Sequence, residues 1–110
     1  MRAALLLLLL TARGLPAPKS QPSGVRVPDA ATAVRIADPA LIRVYGKRRI
    51  DYEKPLTAKL VNGVWHVYGT LCCPDPNGRR TCEIGKCVGG VAALKLRQSD
   101  GKILSISHTK

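Results

Sequence analysis

The feature that most constrains this fold is a pair of strand–turn–strand patterns in the second half of the chain. Four segments alternate apolar and polar residues as half-buried strands do: residues 56–61, 64–71, 89–96 and 103–106. Asn62-Gly63 separates the first two segments, and Asp100-Gly101 separates the last two. Asn-Gly favours a tight hairpin because both residues accept the positive φ of a type I′ turn. The pattern predicts an antiparallel sheet of about four strands.

The second predicted strand has two distinct faces. Trp65 and Val67 share one side of it, while His66 and Tyr68 alternate onto the other. The first side predicts core packing for Trp65. We expect Tyr68 and His66 on the opposite side to contact a partner, because tyrosine is enriched among residues that dominate binding energy.

A single helix is predicted before the strands. Its apolar residues recur at steps of three and four: Ala30, Ala33, Val34, Ala37, Leu41, Val44 and Tyr45. Asp29 is a candidate N-cap, and Gly46 is a candidate stop. Pro39 either kinks this helix or splits it in two; we favour one kinked helix.

The charged residues 47–54 are interpreted as a connection with room for a short edge strand. A helix packed on a curved antiparallel sheet is an α+β fold.

Four cysteines lie within sixteen residues: Cys72, Cys73, Cys82 and Cys87. An even number in a small exported domain favours two disulfides, whereas zinc sites need two closely spaced ligand pairs. A bond between adjacent Cys72 and Cys73 would be strained, so each is expected to reach Cys82 or Cys87. Both pairings are open, and we favour the nested one, Cys72 with Cys87 and Cys73 with Cys82.

The N-terminus has the pattern of a secretory signal peptide. A basic start precedes six leucines at positions 5–10, a run too short to span a bilayer. We predict a signal peptide over residues 1–17, cleaved after Gly14 or Ala17, then a disordered tether over 18–28 and a domain over 29–110. The expected location is periplasmic or secreted, with no stable membrane anchor after cleavage.

The charge indicates an acidic partner. The formal net charge is +11, and it falls to +9 when Arg2 and Arg13 leave with the signal peptide. Such a balance favours association with acidic surfaces, and export argues against nucleic acid. Arg79 and Arg80 lie in the loop that contains the four cysteines, residues 72–87, which we call the cysteine-tied loop. They are candidate contacts because arginine binds carboxylates with paired hydrogen bonds.

Catalytic machinery is not evident. His66 and His108 are the only histidines, and neither belongs to a recognisable nucleophile motif such as Gly-x-Ser-x-Gly. We therefore predict no enzymatic activity, no catalytic residues, and no cofactor or metal site.

Several short motifs resemble a known family when their order and spacing are taken together. They are Tyr45-Gly46, Pro55, Gly63-Val64-Trp65, Gly89-Gly90-Val91 and Asp100-Gly101-Lys102-Ile103-Leu104. This arrangement resembles the bacterial immunity proteins of the nuclear-transport-factor-2-like (NTF2-like) fold, which protect bacteria from their own polymorphic toxins. The resemblance implies a cystatin-like or NTF2-like α+β fold and a protein that binds and neutralises a cognate toxin. The chain departs from the family pattern in two places: Pro39 within the predicted helix, and the cysteine-tied loop.

Two other functions compete with toxin neutralisation. One is a periplasmic inhibitory or binding domain of the peptidase-propeptide type, and the other is a small-ligand cavity protein. A basic, exported immunity protein fits a toxin that acts in the periplasm better than a nuclease, whose own site is basic. The sequence leaves the toxin's identity, the oligomeric state and the disulfide connectivity open.

Overall fold

The computed structural model describes residues 26–110. The predicted signal peptide and residues 18–25 of the predicted tether lie outside this range. The elements follow in the order α1 (Ala30–Tyr45), α2 (Lys47–Tyr52), β1 (Thr57–Val61), β2 (Val64–Tyr68), β3 (Cys73–Pro74), β4 (Arg80–Thr81), β5 (Ala92–Arg97) and β6 (Ile103–His108). Within this range, no helix has the length and apolar character required to cross a membrane.

The main sheet is open and antiparallel, with the strand order β1-β2-β5-β6. Val61 pairs with Val64 across a two-residue turn in which Asn62 and Gly63 have φ values of 48° and 78°. The predicted hairpin is therefore confirmed, because positive φ at both positions defines a type I′ turn. β3 and β4 form a separate two-stranded hairpin inside the β2–β5 connection. The predicted α+β fold, a helix on a four-stranded antiparallel sheet, is confirmed.

Helix α1 begins and ends where the sequence predicts. The Asp29 carboxylate accepts hydrogen bonds from the Thr32 backbone N–H at 2.8 Å and the Thr32 hydroxyl at 2.7 Å. The Gly46 N–H closes the helix on the Ile42 carbonyl at 2.8 Å, with Gly46 at a φ of 95°. Pro39 lies inside this one helix. The expectation of a single element is confirmed, and the alternative of two helices is wrong.

Residues 47–52 form helix α2, so the prediction of a charged connection with a short edge strand is wrong. Two ion pairs at i,i+4 spacing stabilise it: Lys47 with Asp51 on its exposed surface, and Arg49 with the buried Glu53 that follows its last residue. Ile50 points inward and is fully buried. Pairs at this spacing face each other only on a helix, so charge and burial together favour this conformation over a strand.

The core lies between the two helices and one face of the sheet. Its fully buried large side chains come from both layers and from the segment before α1: Leu41, Ile50, Leu94, Leu96, Val27 and Val67. Trp65 is 7% exposed, which confirms its predicted core position, and its indole N–H donates to the Val27 carbonyl at 2.8 Å. The backbone N–H of Val27 also donates to Gln98 O. Ordered packing therefore already includes Val27, two residues before Asp29.

The disulfides pair Cys72 with Cys82 and Cys73 with Cys87, so the favoured nested pairing is wrong. The reason is the register of the small hairpin. Cys73 stands opposite Thr81 in the β3–β4 pair, and one step outward Cys72 stands opposite Cys82, with the two Cα atoms 4.1 Å apart. Neighbouring residues of an extended chain point to opposite sides, which leaves Cys73 directed towards Cys87. No thiolate remains as a zinc ligand.

Candidate functional site

Neither helix covers the sheet face opposite the core, which we call the open face. Its side chains come from all four strands: Thr57, Lys59, Val61, Val64, His66, Tyr68, Ala93, Lys95, Arg97, Ser105 and Ser107. The burial pattern of β2 shows the division, because Trp65 and Val67 are buried while Val64, His66 and Tyr68 are partly exposed. The structure thus places the two predicted contacts, His66 and Tyr68, next to each other on an accessible surface.

A Lys–His–Lys row crosses the centre of the open face. Lys59 pairs with His66 across β1 and β2, and His66 pairs with Lys95 across β2 and β5. Strands lie about 4.8 Å apart, so the two lysines flank His66 within about 10 Å of each other. Both lysines are exposed, and no carboxylate of residues 26–110 lies within ion-pair distance of either. Unpaired like charges in one row give the folded chain no stabilising contact.

The acidic residues do not offset the lysines of the open face, because most of them accept hydrogen bonds from other groups of the chain. The sequence has seven, and all are described. Six accept hydrogen bonds from the chain: Asp29, Asp38, Asp51, Glu53, Asp75 and Asp100. Hydrogen bonds from Lys47 and Lys54 lower the pKa of Asp51, and the Arg97 guanidinium holds the pKa of Asp100 well below its usual range. Cationic side chains therefore dominate the uncompensated surface charge.

The structure separates the roles of the other two predicted contacts, Arg79 and Arg80. The Arg80 guanidinium donates to the carbonyls of Tyr52 and Lys54 and lies 5.5 Å from the centroid of the Tyr52 ring. Arg80 therefore fastens the cysteine-tied loop to the end of α2. Arg79 is exposed, and its backbone N–H donates to Asp75 Oδ1 at 2.9 Å. Its side chain makes no hydrogen bond or ion pair with the described part of the chain.

A pocket of about 460 Å³ lies where α2, the end of the sheet and the cysteine-tied loop meet. Its lining includes Arg49, Tyr52, Glu53, Gly89 and His108. Glu53 is only 5% exposed, and both carboxylate oxygens have partners. Oε1 accepts from the Ala92 backbone N–H at 2.7 Å, and Oε2 accepts from Arg49 Nε at 3.1 Å. The carboxylate therefore holds α2 against the start of β5.

His108, not His66, is the histidine of this pocket. Arg49 donates through Nη2 to His108 Nε2 at 2.9 Å, and because a guanidinium only donates, this nitrogen is the acceptor. The same nitrogen lies 3.8 Å from Glu53 Oε2, beyond hydrogen-bond distance. The His108 ring also meets the Tyr45 ring edge-on, with centroids 5.8 Å apart. The cluster is an interlocked set of contacts between α1, α2 and β6.

The cluster of Glu53, Arg49 and His108 was not predicted from the sequence. One available signal was the i,i+4 spacing of Arg49 and Glu53, which is typical of a helix surface. A second was Gly69 in a predicted strand, because glycine there often marks a close approach by another group. In the structure, a Cβ at Gly69 would overlap Glu53 Oε1 and lie 2.8 Å from Glu53 Cβ. His108 gives no local signal, because it meets Arg49 only after β6 has joined the sheet.

Comparison with known proteins agrees with this architecture. The profile of a family described as "NTF2 fold immunity protein" matches residues 32–110, more than two thirds of the chain. The chain belongs to this family. The match includes most of α1, all strands and the cysteine-tied loop, so the resemblance expected from the sequence is confirmed. No curated protein and no solved structure matches the chain. Membership of the family assigns the protein an immunity role.

Proposed function

We propose that this protein is exported and uses its open face to bind and neutralise a cognate toxin, without catalysing a reaction. The observation that carries the proposal is the row Lys59–His66–Lys95, whose two lysines are exposed beside Tyr68 on a surface that neither helix covers. The immunity role comes from the family, and the open face supplies a surface suited to a macromolecule.

The charge of the open face favours an acidic partner. None of its side chains is acidic, and Lys59 and Lys95 have no carboxylate partner in the described chain. A toxin surface with two or more carboxylates would relieve the repulsion between the lysines and accelerate association through electrostatic steering. Tyr68 adds a rigid, partly apolar contact next to this row, an arrangement typical of binding hot spots.

Support for a non-catalytic role comes from the pocket, whose histidine, His108, already accepts a hydrogen bond from Arg49. The Glu53 oxygens accept from Ala92 and Arg49, and Oε2 lies 3.8 Å from His108 Nε2, too far to orient the ring by a hydrogen bond. A general base needs an accessible lone pair directed at the substrate proton. The predicted contact His66 lies outside this pocket. The polar residues of the pocket instead hold α2 against β5 and β6.

Binding is tested with a candidate toxin, defined as the product of the neighbouring gene that arrests growth of cells lacking this protein. The variant Lys59→Glu/Lys95→Glu reverses two charges on the open face. The matched control, Arg35→Glu/Arg48→Glu, makes the same charge change on exposed helix positions. We expect the first variant to bind at least about tenfold more weakly in calorimetry and to lose protection, and the control to retain both.

Two results would contradict the binding proposal. One is a wild-type protein that neither binds nor protects against the candidate toxin. The other is equal loss of affinity in the open-face variant and the helix-side control, which would mean that total charge, not this surface, governs association. Circular dichroism of both variants checks that the fold is retained.

Export is tested by intact mass spectrometry of the protein recovered from its own cells. We expect a mass that lacks residues 1–14 or 1–17, and two disulfides that leave no thiol to alkylate. Recovery of the full-length chain from the cytoplasm with reduced cysteines would contradict export.

A further inference from the structure

The cysteine-tied loop carries an unusual apolar turn. The Lys86 N–H donates to the Glu83 carbonyl at 3.1 Å, and Gly85 has a φ of 86°, as the third residue of a type II turn requires. Ile84 is the second residue of this turn and is 102% exposed. Val88, just beyond the turn, is 94% exposed. These are the two most exposed large apolar side chains of residues 26–110.

The turn is held at both ends. Cys82 is bonded to Cys72, and Cys87 is bonded to Cys73, so two adjacent residues anchor the start and the end of the turn. Arg80 additionally ties the base of the loop to the carbonyls of Tyr52 and Lys54. A loop ordered before binding loses little conformational freedom when it binds, which favours its use as a contact.

We infer that Ile84 inserts into an apolar pocket of the toxin, with Val88 as a neighbouring apolar contact. This inference rests on the proposed function and adds a second contact, separate from the open face. The geometry supports a convex element for a concave receptor, because Ile84 stands at a turn corner with its whole side chain accessible. Side chains that fill well-packed, fully desolvated pockets contribute most of the binding energy of an interface.

A membrane surface is the competing occupant of this turn. The side chains of Ile84 and Val88 contain about half as many carbons as one myristoyl chain, which itself gives only marginal membrane binding. Glu83 and Lys86, both exposed, flank Ile84 and Gly85, so their charges cancel and the turn itself has no net attraction for anionic lipid. Both facts favour a protein pocket.

The test compares Ile84→Ala and Ile84→Asp with Leu104→Ala, a control that truncates an exposed apolar residue on β6. With the candidate toxin as titrant, we expect Ile84→Asp to bind at least about tenfold more weakly and Ile84→Ala about fivefold more weakly. Leu104→Ala should stay within about twofold of wild type. Because Ile84 makes no buried contact, tryptophan fluorescence and circular dichroism should not change.

The outcomes separate this inference from the proposed function. If both Ile84 variants bind like wild type while Lys59→Glu/Lys95→Glu loses affinity, the insertion is refuted and the open-face proposal stands. If Ile84→Asp keeps its toxin affinity but loses sedimentation with phosphatidylglycerol vesicles shown by wild type, lipid is the occupant and the inference is also refuted. If the wild-type protein does not bind the candidate toxin, both proposals are refuted.

Discussion

Replacing Glu53 tests the central polar contact of this fold. Glu53→Ala removes the acceptor of the buried Ala92 N–H, and an unsatisfied buried donor costs about 1–3 kcal/mol. The truncation also removes a buried methylene, worth about 0.8 kcal/mol. Arg49, the other partner, has a side chain 53% exposed, so water can solvate it and its released charge adds little. We expect a total loss of about 2–4 kcal/mol in the free energy of unfolding.

Two further variants separate the sources of this loss. Glu53→Gln keeps an oxygen for the Ala92 N–H but removes the charge, so it should cost about 1 kcal/mol. Glu83→Ala truncates an exposed glutamate whose side chain makes no hydrogen bond or ion pair with the described chain, and it should stay within about 0.5 kcal/mol of wild type. Urea unfolding of the oxidised protein, followed by the fluorescence of the single tryptophan, Trp65, gives all three values.

Amide hydrogen exchange gives an independent measure of the same contact. The Ala92 N–H should remain protected in Glu53→Gln and exchange faster in Glu53→Ala. If Glu53→Ala costs no more than Glu83→Ala and leaves Ala92 protected, Glu53 does not hold α2 against β5 and the reasoning is refuted.

Three other substitutions have definite expected results. Trp65→Phe removes the donor to the Val27 carbonyl and should cost about 1–3 kcal/mol in urea unfolding, with faster exchange at the Val27 amide; unchanged exchange would contradict the contact. Arg80→Ala should accelerate exchange in the β3–β4 hairpin while the four-stranded sheet stays protected, because this guanidinium fastens the loop from outside the core. The lowered pKa of Asp100 should appear in carboxyl-carbon NMR titration and return towards the ordinary value in Arg97→Ala. Because the folded pKa is below the unfolded one, this stabilisation is present above about pH 4 and is lost as pH falls; Asp100→Asn removes that dependence.

Local signals explain the part of the fold that the sequence predicts. Asn62-Gly63 specifies its own turn, Asp29 and Gly46 mark the ends of α1, and period-two alternation identifies the buried face of β2. Each of these signals acts within a few residues. The sequence also separates His66 and Tyr68 from the core side of β2 for the same reason.

The missed features depend on contacts between distant segments. The disulfide pairing follows from the β3–β4 register, which no local pattern of four cysteines specifies. The burial of Val27 depends on a hydrogen bond from Trp65, which lies 38 residues later. Helix α2 has six residues, too few for apolar periodicity, and only its charge spacing distinguishes it from a loop. The complete exposure of Ile84 likewise follows from a turn that the disulfides position.

The overlapping disulfides have a consequence for survival among proteases. The cysteine-tied loop connects β2 to β5, the two central strands, so a cut there divides the sheet between two fragments. A cut between residues 74 and 82 leaves both cystines bridging the fragments, and a cut between 83 and 86 leaves the one from Cys73 to Cys87. A clipped molecule would therefore remain one covalent unit with its strands still paired, and gel electrophoresis would reveal the break only after reduction.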